Sequence, residues 1–206
     1  MYHHITGVIL AGGKSSRMGT NKSFLRINGE YIIERIAKLT SSLFNNVFIS
    51  TNTPDEYEFL RLPTIQDIHH GIGPLAGIHS GLLHSTTEKI FVISCDVPLM
   101  NKETISFIVD YPIQKNIVIP KADGFIQQLC GIYSKSVVHS IETIVKESED
   151  KKKGCRVLEL VQREQSEIIE IEKVFPHYKT NTFLNMNTLE DYKFISSLHT
   201  SHLSLR

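Results

Sequence analysis

The stretch Gly7-Val8-Ile9-Leu10-Ala11-Gly12-Gly13-Lys14-Ser15-Ser16-Arg17-Met18-Gly19-Thr20-Asn21-Lys22 sets a β-branched apolar run directly against a loop rich in glycine and positive charge. A short run of this kind, bounded by glycine, reads as a buried strand. The loop that leaves it is suited to phosphate. Glycines at 12, 13 and 19 let backbone N–H groups approach an anion, Ser15 and Ser16 add hydroxyl donors, and Lys14, Arg17 and Lys22 supply charge. A plain surface turn would account for two adjacent glycines but not for three cations in the thirteen residues from Leu10 to Lys22. Neither common phosphate signature matches: GxxxxGK[ST] needs glycine where Asn21 stands, and GxGxxG needs glycine at 14 and 17.

Outward from this loop, Val47–Ser50, Ile90–Ser94 and Ile117–Ile119 are further apolar runs, with another strand expected near Thr64 and Ile65. Tyr31–Leu43 and Leu75–His84 carry their apolar residues at helical spacing. Alternation of strand and helix predicts a three-layer α/β/α architecture with a mostly parallel sheet, which binds ligands beyond the carboxyl ends of its strands. In the second half, Gly124–Ile132 reads as a strand, Lys135–Glu147 as a helix, Ser166–Ile171 as a strand, and a last helix is expected from about Thr188. The charged run Glu147–Lys153 is expected to be a solvated connection whose basic end could face an anionic substrate. A single domain over 1–195 is expected, with 196–206 frayed.

Composition excludes several classes. The 206 residues, 41% hydrophobic and 21% charged, suit one ordinary globule rather than a disordered or fibrous chain. Lysine plus arginine equals aspartate plus glutamate at 22 each, so no global field draws in nucleic acid or an anionic membrane. Three cysteines without paired spacing fit a reducing compartment, and no run approaches the roughly 20 apolar residues of a membrane span. A cytoplasmic location is the expectation.

Asp96 follows the most apolar of the runs and should emerge at the sheet's carboxyl edge, where either a metal-binding carboxylate or a turn cap before Pro98 would stand. Cys95 has no neighbouring base to make it a nucleophile. Asn52 and Asp67, after the second and third strands, are candidates for ligand contact or for simple turn chemistry. His69, His70, His79 and His84 lack metal-ligand spacing and read as solvated or helix-surface residues. Gly77 and Gly81, four apart, smooth one helix face for close packing.

Four segments together carry a family resemblance: Leu10–Gly19 followed by Lys22, Gly73-Pro74-Leu75-Ala76-Gly77-Ile78, Cys95-Asp96-Val97-Pro98-Leu99, and Asn185-Met186-Asn187-Thr188. From Thr6 to about Tyr192 the chain resembles the molybdenum cofactor guanylyltransferases, a branch of the sugar-nucleotide-pyrophosphorylase-like nucleotidyltransferases. The resemblance implies a Rossmann-like nucleotide-diphospho-sugar transferase fold, Mg2+ as cofactor, and GTP and molybdopterin as substrates. It implies catalytic roles for Arg17, Lys22 and Asp96, with the metal on Asp96. It also implies nucleotide or cofactor contacts from Leu10, Ala11, Gly12, Gly13, Lys22, Asn52, Asp67, Asp96, Asn185 and Asn187, with Lys151–Lys153, Arg156, Gln127, Gln128 and Tyr133 as candidates on the acceptor side, a β-hairpin core being an equally good account of the last three. The tetrad Leu10–Gly13 favours guanylyl over cytidylyl transfer. Biosynthetic or recipient proteins are its implied partners, not nucleic acid or membrane. Two positions depart from the pattern: Asn21 replaces an aspartate usual before the lysine, and Leu189 replaces a proline. Cytidylyl transfer, another phosphate acceptor, and a non-catalytic GTP or cofactor carrier are the alternatives.

Overall fold

β1 (Ile5–Leu10) is buried along its whole length, as a run apolar on both faces must be. The computed structural model describes residues 1–12, 21–112, 115–151 and 155–200. A small antiparallel hairpin, β2 (Arg26–Ile27) and β3 (Glu30–Tyr31), leads into α1 (Ile32–Leu43). Glu34 there accepts the Tyr31 N–H at 3.0 Å, one of the donors a helix start leaves unmatched. β4 (Val47–Ser50), β5 (Thr64–Ile65), α2 (Pro74–His84), β6 (Lys89–Ser94) and α3 (Lys102–Val109) follow. The second half comprises β7 (Ile117–Ala122), β8 (Phe125–Ile126), β9 (Cys130–Ser134), α4 (Val138–Lys151), α5 (Val157–Arg163), β10 (Ser166–Glu170), α6 (Ile171–Val174) and α7 (Leu189–Thr200).

The main sheet runs β10-β7-β9-β6-β1-β4-β5, with β8 paired to β7. β1 is parallel to β4 and β6, β4 to β5, and β7 to β10, while β9 alone runs against both its neighbours along this path. The sheet is therefore mostly parallel, as the alternation of elements predicts. Side chains alternate between two apolar layers. Ile5 and Ile9 of β1 join Phe91 and Ile93 of β6 beneath α1, α3, α6 and α7. Val8 and Leu10 join Ile90 and Val92 beneath α2, α4 and α5. α2 sits close because a Cβ on Gly77 would lie 2.7 Å from both Leu10 Cδ2 and Ser50 Oγ.

Several expectations are corrected. Gly124–Ile132 is not one strand: Asp123 and Gly124, with φ of 51° and 79°, form the two-residue turn of the β7–β8 hairpin, and β9 starts only at Cys130. Asp-Gly between strands is a hairpin signal because both residues tolerate positive φ. The charged run is not all connection, since α4 continues to Lys151. Its Glu147 receives both Arg163 Nη atoms at 2.9 and 3.0 Å, and long charged side chains propagate helices well. His79 is not solvated: it is 1% exposed, its ring lies 5.0 Å from that of His69, and its Nε2 is 3.8 Å from a Glu142 oxygen of α4. Burial, then the neighbouring His69, holds its pKa below the ordinary value, so it packs as a neutral ring. α7 carries the chain helically to Thr200, past the boundary expected at 195, and 201–206 lie outside the described residues.

Gly131 of β9 faces the β7 backbone, where a Cβ would stand 2.5 Å from the Val118 carbonyl oxygen. A backbone atom has little room to yield, so Gly131→Ala should lower stability by about 1–3 kcal/mol, read as a shift in urea midpoint at unchanged slope.

Candidate active site

The carboxyl ends of four strands form one line. Leu10 pairs with Ser50 on one side and Ser94 on the other, and Ser50 pairs with Ile65. The ladder extends one step further: Ala11 N–H donates to Ser50 (2.9 Å), Cys95 N–H to Leu10 (3.1 Å) and Thr51 N–H to Ile65 (2.9 Å). Gly12, Asn52, Asp67 and Asp96 consequently leave the sheet along the same edge. Such an edge, where parallel strands end and their loops begin, is where this architecture takes ligands.

Asp96 is fixed by its neighbours' backbones and by α1. Arg35 Nε donates to the Pro98 carbonyl at 2.7 Å, and Met186 N–H donates to the Asp96 carbonyl at 2.8 Å. Of its carboxylate, Oδ1 is buried with no hydrogen-bond partner among the described residues. A carboxylate oxygen in that condition costs free energy unless something binds it. The turn-cap reading finds no support in these contacts. Cys95 beside it is a packed thiol: burial, then the Asp96 charge, pushes its pKa up to about 12, and its Sγ lies 3.2 Å from Ser23 Oγ.

The segment Asn185–Thr188 is drawn to this edge from the far end of the chain. Lys22 Nζ donates to Asn187 Oδ1 at 2.8 Å, while the Met186 backbone is bonded to Asp96 as above. Met186 is fully buried, which anchors the two flanking asparagines near the surface, Asn185 half-buried and Asn187 exposed. Thr188 caps α7: its hydroxyl accepts the Asp191 N–H at 3.1 Å, and the Asp191 carboxylate accepts the N–H groups of Asn187 (2.8 Å) and Thr188 (2.7 Å). Burial raises the Asp191 pKa, but these donors and the Lys22 charge outweigh it, so the carboxyl stays below its ordinary value.

Asn52 and Asp67 are brought together. Asn52 Nδ2 donates to Asp67 Oδ2 at 2.7 Å, and Asp67 N–H donates to Asn52 Oδ1 at 3.2 Å. The pair is turn chemistry in that sense, yet it also holds a half-buried carboxylate at the edge. Gly13 and Arg17 lie outside the described residues, as do Lys152 and Lys153. α4 starts beside Ser134 at the opposite edge of the sheet, so its last turn at Lys151 returns toward the site edge. Of the residues named for the acceptor side, Tyr133 is fully buried and its hydroxyl donates to the Gln128 carbonyl, which makes it part of the core. Sequence reasoning missed Asp191, although Thr188-x-x-Asp191 is a legible capping pattern, and missed Ser23 and Tyr57, which carry no local signal.

Comparison with known proteins agrees with this geometry. The MobA-like NTP transferase domain matches residues 7–167. A protein of Clostridium perfringens named "Probable molybdenum cofactor guanylyltransferase" is 37% identical over 190 residues, covering 91% of this chain and 94% of that one. The molybdenum cofactor guanylyltransferase of Desulfosudis oleivorans is 32% identical over 67% of this chain and 69% of its own. Among solved structures, molybdopterin-guanine dinucleotide biosynthesis protein A from Archaeoglobus fulgidus superposes with a TM-score of 0.81, covering 96% of this chain and 100% of that one at 22% identity, which speaks to the fold.

Asp191→Asn should cost about 1 kcal/mol at neutral pH by weakening the α7 cap. Because the folded pKa is depressed, the carboxylate's contribution is present above the unfolded value of about 3.9 and is lost as pH falls through the folded one. The gap between parent and variant urea midpoints should therefore narrow below about pH 4.

Proposed function

Because the chain belongs to the MobA-like NTP transferase family, we propose that it transfers GMP from GTP to the terminal phosphate of molybdopterin and releases pyrophosphate. The observation that carries this reading is the meeting, at one sheet edge, of Lys22 from the glycine loop, Asp96 from the end of β6 and Asn187 from the far end of the chain.

An oxygen of the acceptor phosphate forms a bond to the α-phosphorus of GTP, and the bond from that phosphorus to the bridging oxygen breaks, with the electron pair leaving on pyrophosphate. A phosphate monoester, with its second pKa near ~6, is largely dianionic at neutral pH and attacks without a general base. Cys95, whose thiol stays protonated, has no part in the bond-making. What the protein must supply is charge compensation and alignment. Lys22 gives a cation to the triphosphate, and Asn187, hydrogen-bonded to it, directs that cation. Arg17 adds a second positive charge in this reading. In this reading the amides of Gly12 and Gly13, beyond the last ladder bond from Ala11 N–H to Ser50, seat the phosphates, and Asn185 with Asn187 contacts the acceptor.

Asp96 fits an Mg2+ ion on the same footing. Its buried Oδ1, without a hydrogen-bond partner among the described residues, is the hard oxygen donor such an ion takes, and one carboxylate completed by substrate phosphates and waters suffices. When bound, the ion neutralises charge on the phosphates that meet there.

Asp67, oriented by Asn52, suits guanine, whose ring N–H and amino group are adjacent donors, whereas cytosine presents a single amino donor beside acceptors. Asn21 in place of the usual aspartate is the feature that would encourage a carrier leaving GTP unchanged, and that residue has a structural use here, since its side chain caps Lys22–Phe24 by accepting the Ser23 N–H at 3.1 Å. No described helix is long and apolar enough to cross a membrane. Biosynthetic or recipient proteins would be the macromolecular partners.

With Mg2+ and molybdopterin, pyrophosphate release should be at least about tenfold faster from GTP than from CTP at equal subsaturating concentration; a preference for CTP would refute the base assignment. Asp96→Ala should lower turnover on the order of a hundredfold with an unchanged circular dichroism spectrum, and near-parental activity would remove Asp96 from the mechanism.

A further inference from the structure

The two described ends of the glycine loop converge on one buried hydroxyl. Tyr57 lies on the 3-10 turn Pro54–Leu60 between β4 and β5, is fully buried, and packs its ring 5.3 Å from that of Phe24. Its hydroxyl donates to the Ala11 carbonyl at 2.9 Å, where the chain enters the loop. It accepts from Asn21 Nδ2 at 3.2 Å, where the chain leaves, and Ser23 Oγ lies 3.4 Å away. A phenol has one proton, so giving it to Ala11 leaves the oxygen needing a donor from the exit side. Asn21 is the nearer such donor, ahead of the Ser23 hydroxyl, and every part of its amide is engaged. Oδ1 accepts the Ser23 N–H at 3.1 Å, one amide proton goes to Tyr57, and the other goes to Glu56 Oε2 at 3.1 Å.

The chemistry at 21 is therefore specific. A carboxylate there could still accept from Ser23, but it would offer no proton to the Tyr57 oxygen and would face Glu56 with like charge. Tyr57 could then turn its single proton from Ala11 toward position 21, releasing the entry strand from the exit. Loops whose ends are held bind at lower entropic cost than loops whose ends drift.

We propose that Tyr57, set by Asn21 and Glu56, is a positioning residue that clasps the entry and exit of the glycine loop and so presents it correctly to the nucleotide. The inference rests on the reading of that loop as the triphosphate site.

The test is steady-state kinetics with Mg-GTP and molybdopterin, with equilibrium Mg-GTP binding and thermal melting measured alongside. Tyr57→Phe should raise the KM and Kd for GTP about tenfold, while the KM for molybdopterin stays within about twofold of the parent. Asn21→Asp, nearer the surface, should act in the same direction, and adding Glu56→Gln should recover at least about threefold of that loss by removing the facing charge. If both single variants keep the parental GTP KM and Kd, or if Tyr57→Phe lowers only the melting temperature, Tyr57 is core packing and the proposal is overturned. Should Tyr57→Phe fail to fold, Asn21→Asp and its rescue decide alone, and tighter GTP binding by Asn21→Asp would also overturn the clasp. A parent protein that neither binds nor turns over Mg-GTP would instead bring down the functional reading, and the clasp with it.

Discussion

β1 lies between β4 and β6 and runs parallel to both, with Leu10 in register with Ser50 and Ser94. Parallel strands held in register finish together, so the loops that follow them begin side by side. That single constraint brings Gly12, Asn52 and Asp96 to a common edge, although they are far apart in the chain. It is maintained by burial on both faces, since Val8 and Ile9 of β1 are wholly without exposed surface. A slip of one residue would turn each strand's apolar faces over and misalign every loop at once.

Closure of the site depends on the other end of the chain. Met186 is buried in the layer shared with α1 and α7, and its N–H holds the Asp96 carbonyl. Tyr192 of α7 donates its hydroxyl to the Arg26 carbonyl at 2.8 Å, tying the last helix to the hairpin beyond the glycine loop. Asp191 then stiffens the turn from which Asn187 reaches Lys22. The Lys22 cation is thus aimed in part by a turn that backbone and cap interactions hold in place.

A site of this composition suits a reaction between anions. Its polar groups are a lysine, carboxylates and amides, and the thiol nearest the edge is held protonated by burial. Charge compensation matters more in such chemistry than a protein nucleophile does.

The apolar runs and helical periodicities were enough to read the layers, the parallel half of the sheet and the edge carrying Asp96, because buried strands and amphipathic helices write their burial into residue order. The family-like segments singled out Lys22, Asn185 and Asn187, and the fold brings Lys22 and Asn187 within hydrogen-bond distance. Where local signals compete, sequence reading falters: Asp123-Gly124 breaks a stretch read as one strand, charged residues extend α4, and His79, read as solvated or helix-surface, is buried on α2 with its ring toward Glu142 of α4. Only the tertiary structure decided that Lys22 meets Asn187, that Asn52 pairs with Asp67, and that Tyr57 joins Ala11 to Asn21. Hydrogen bonds across such separations depend on distance and angle in the folded chain, and neither leaves a period or a composition for the sequence to carry.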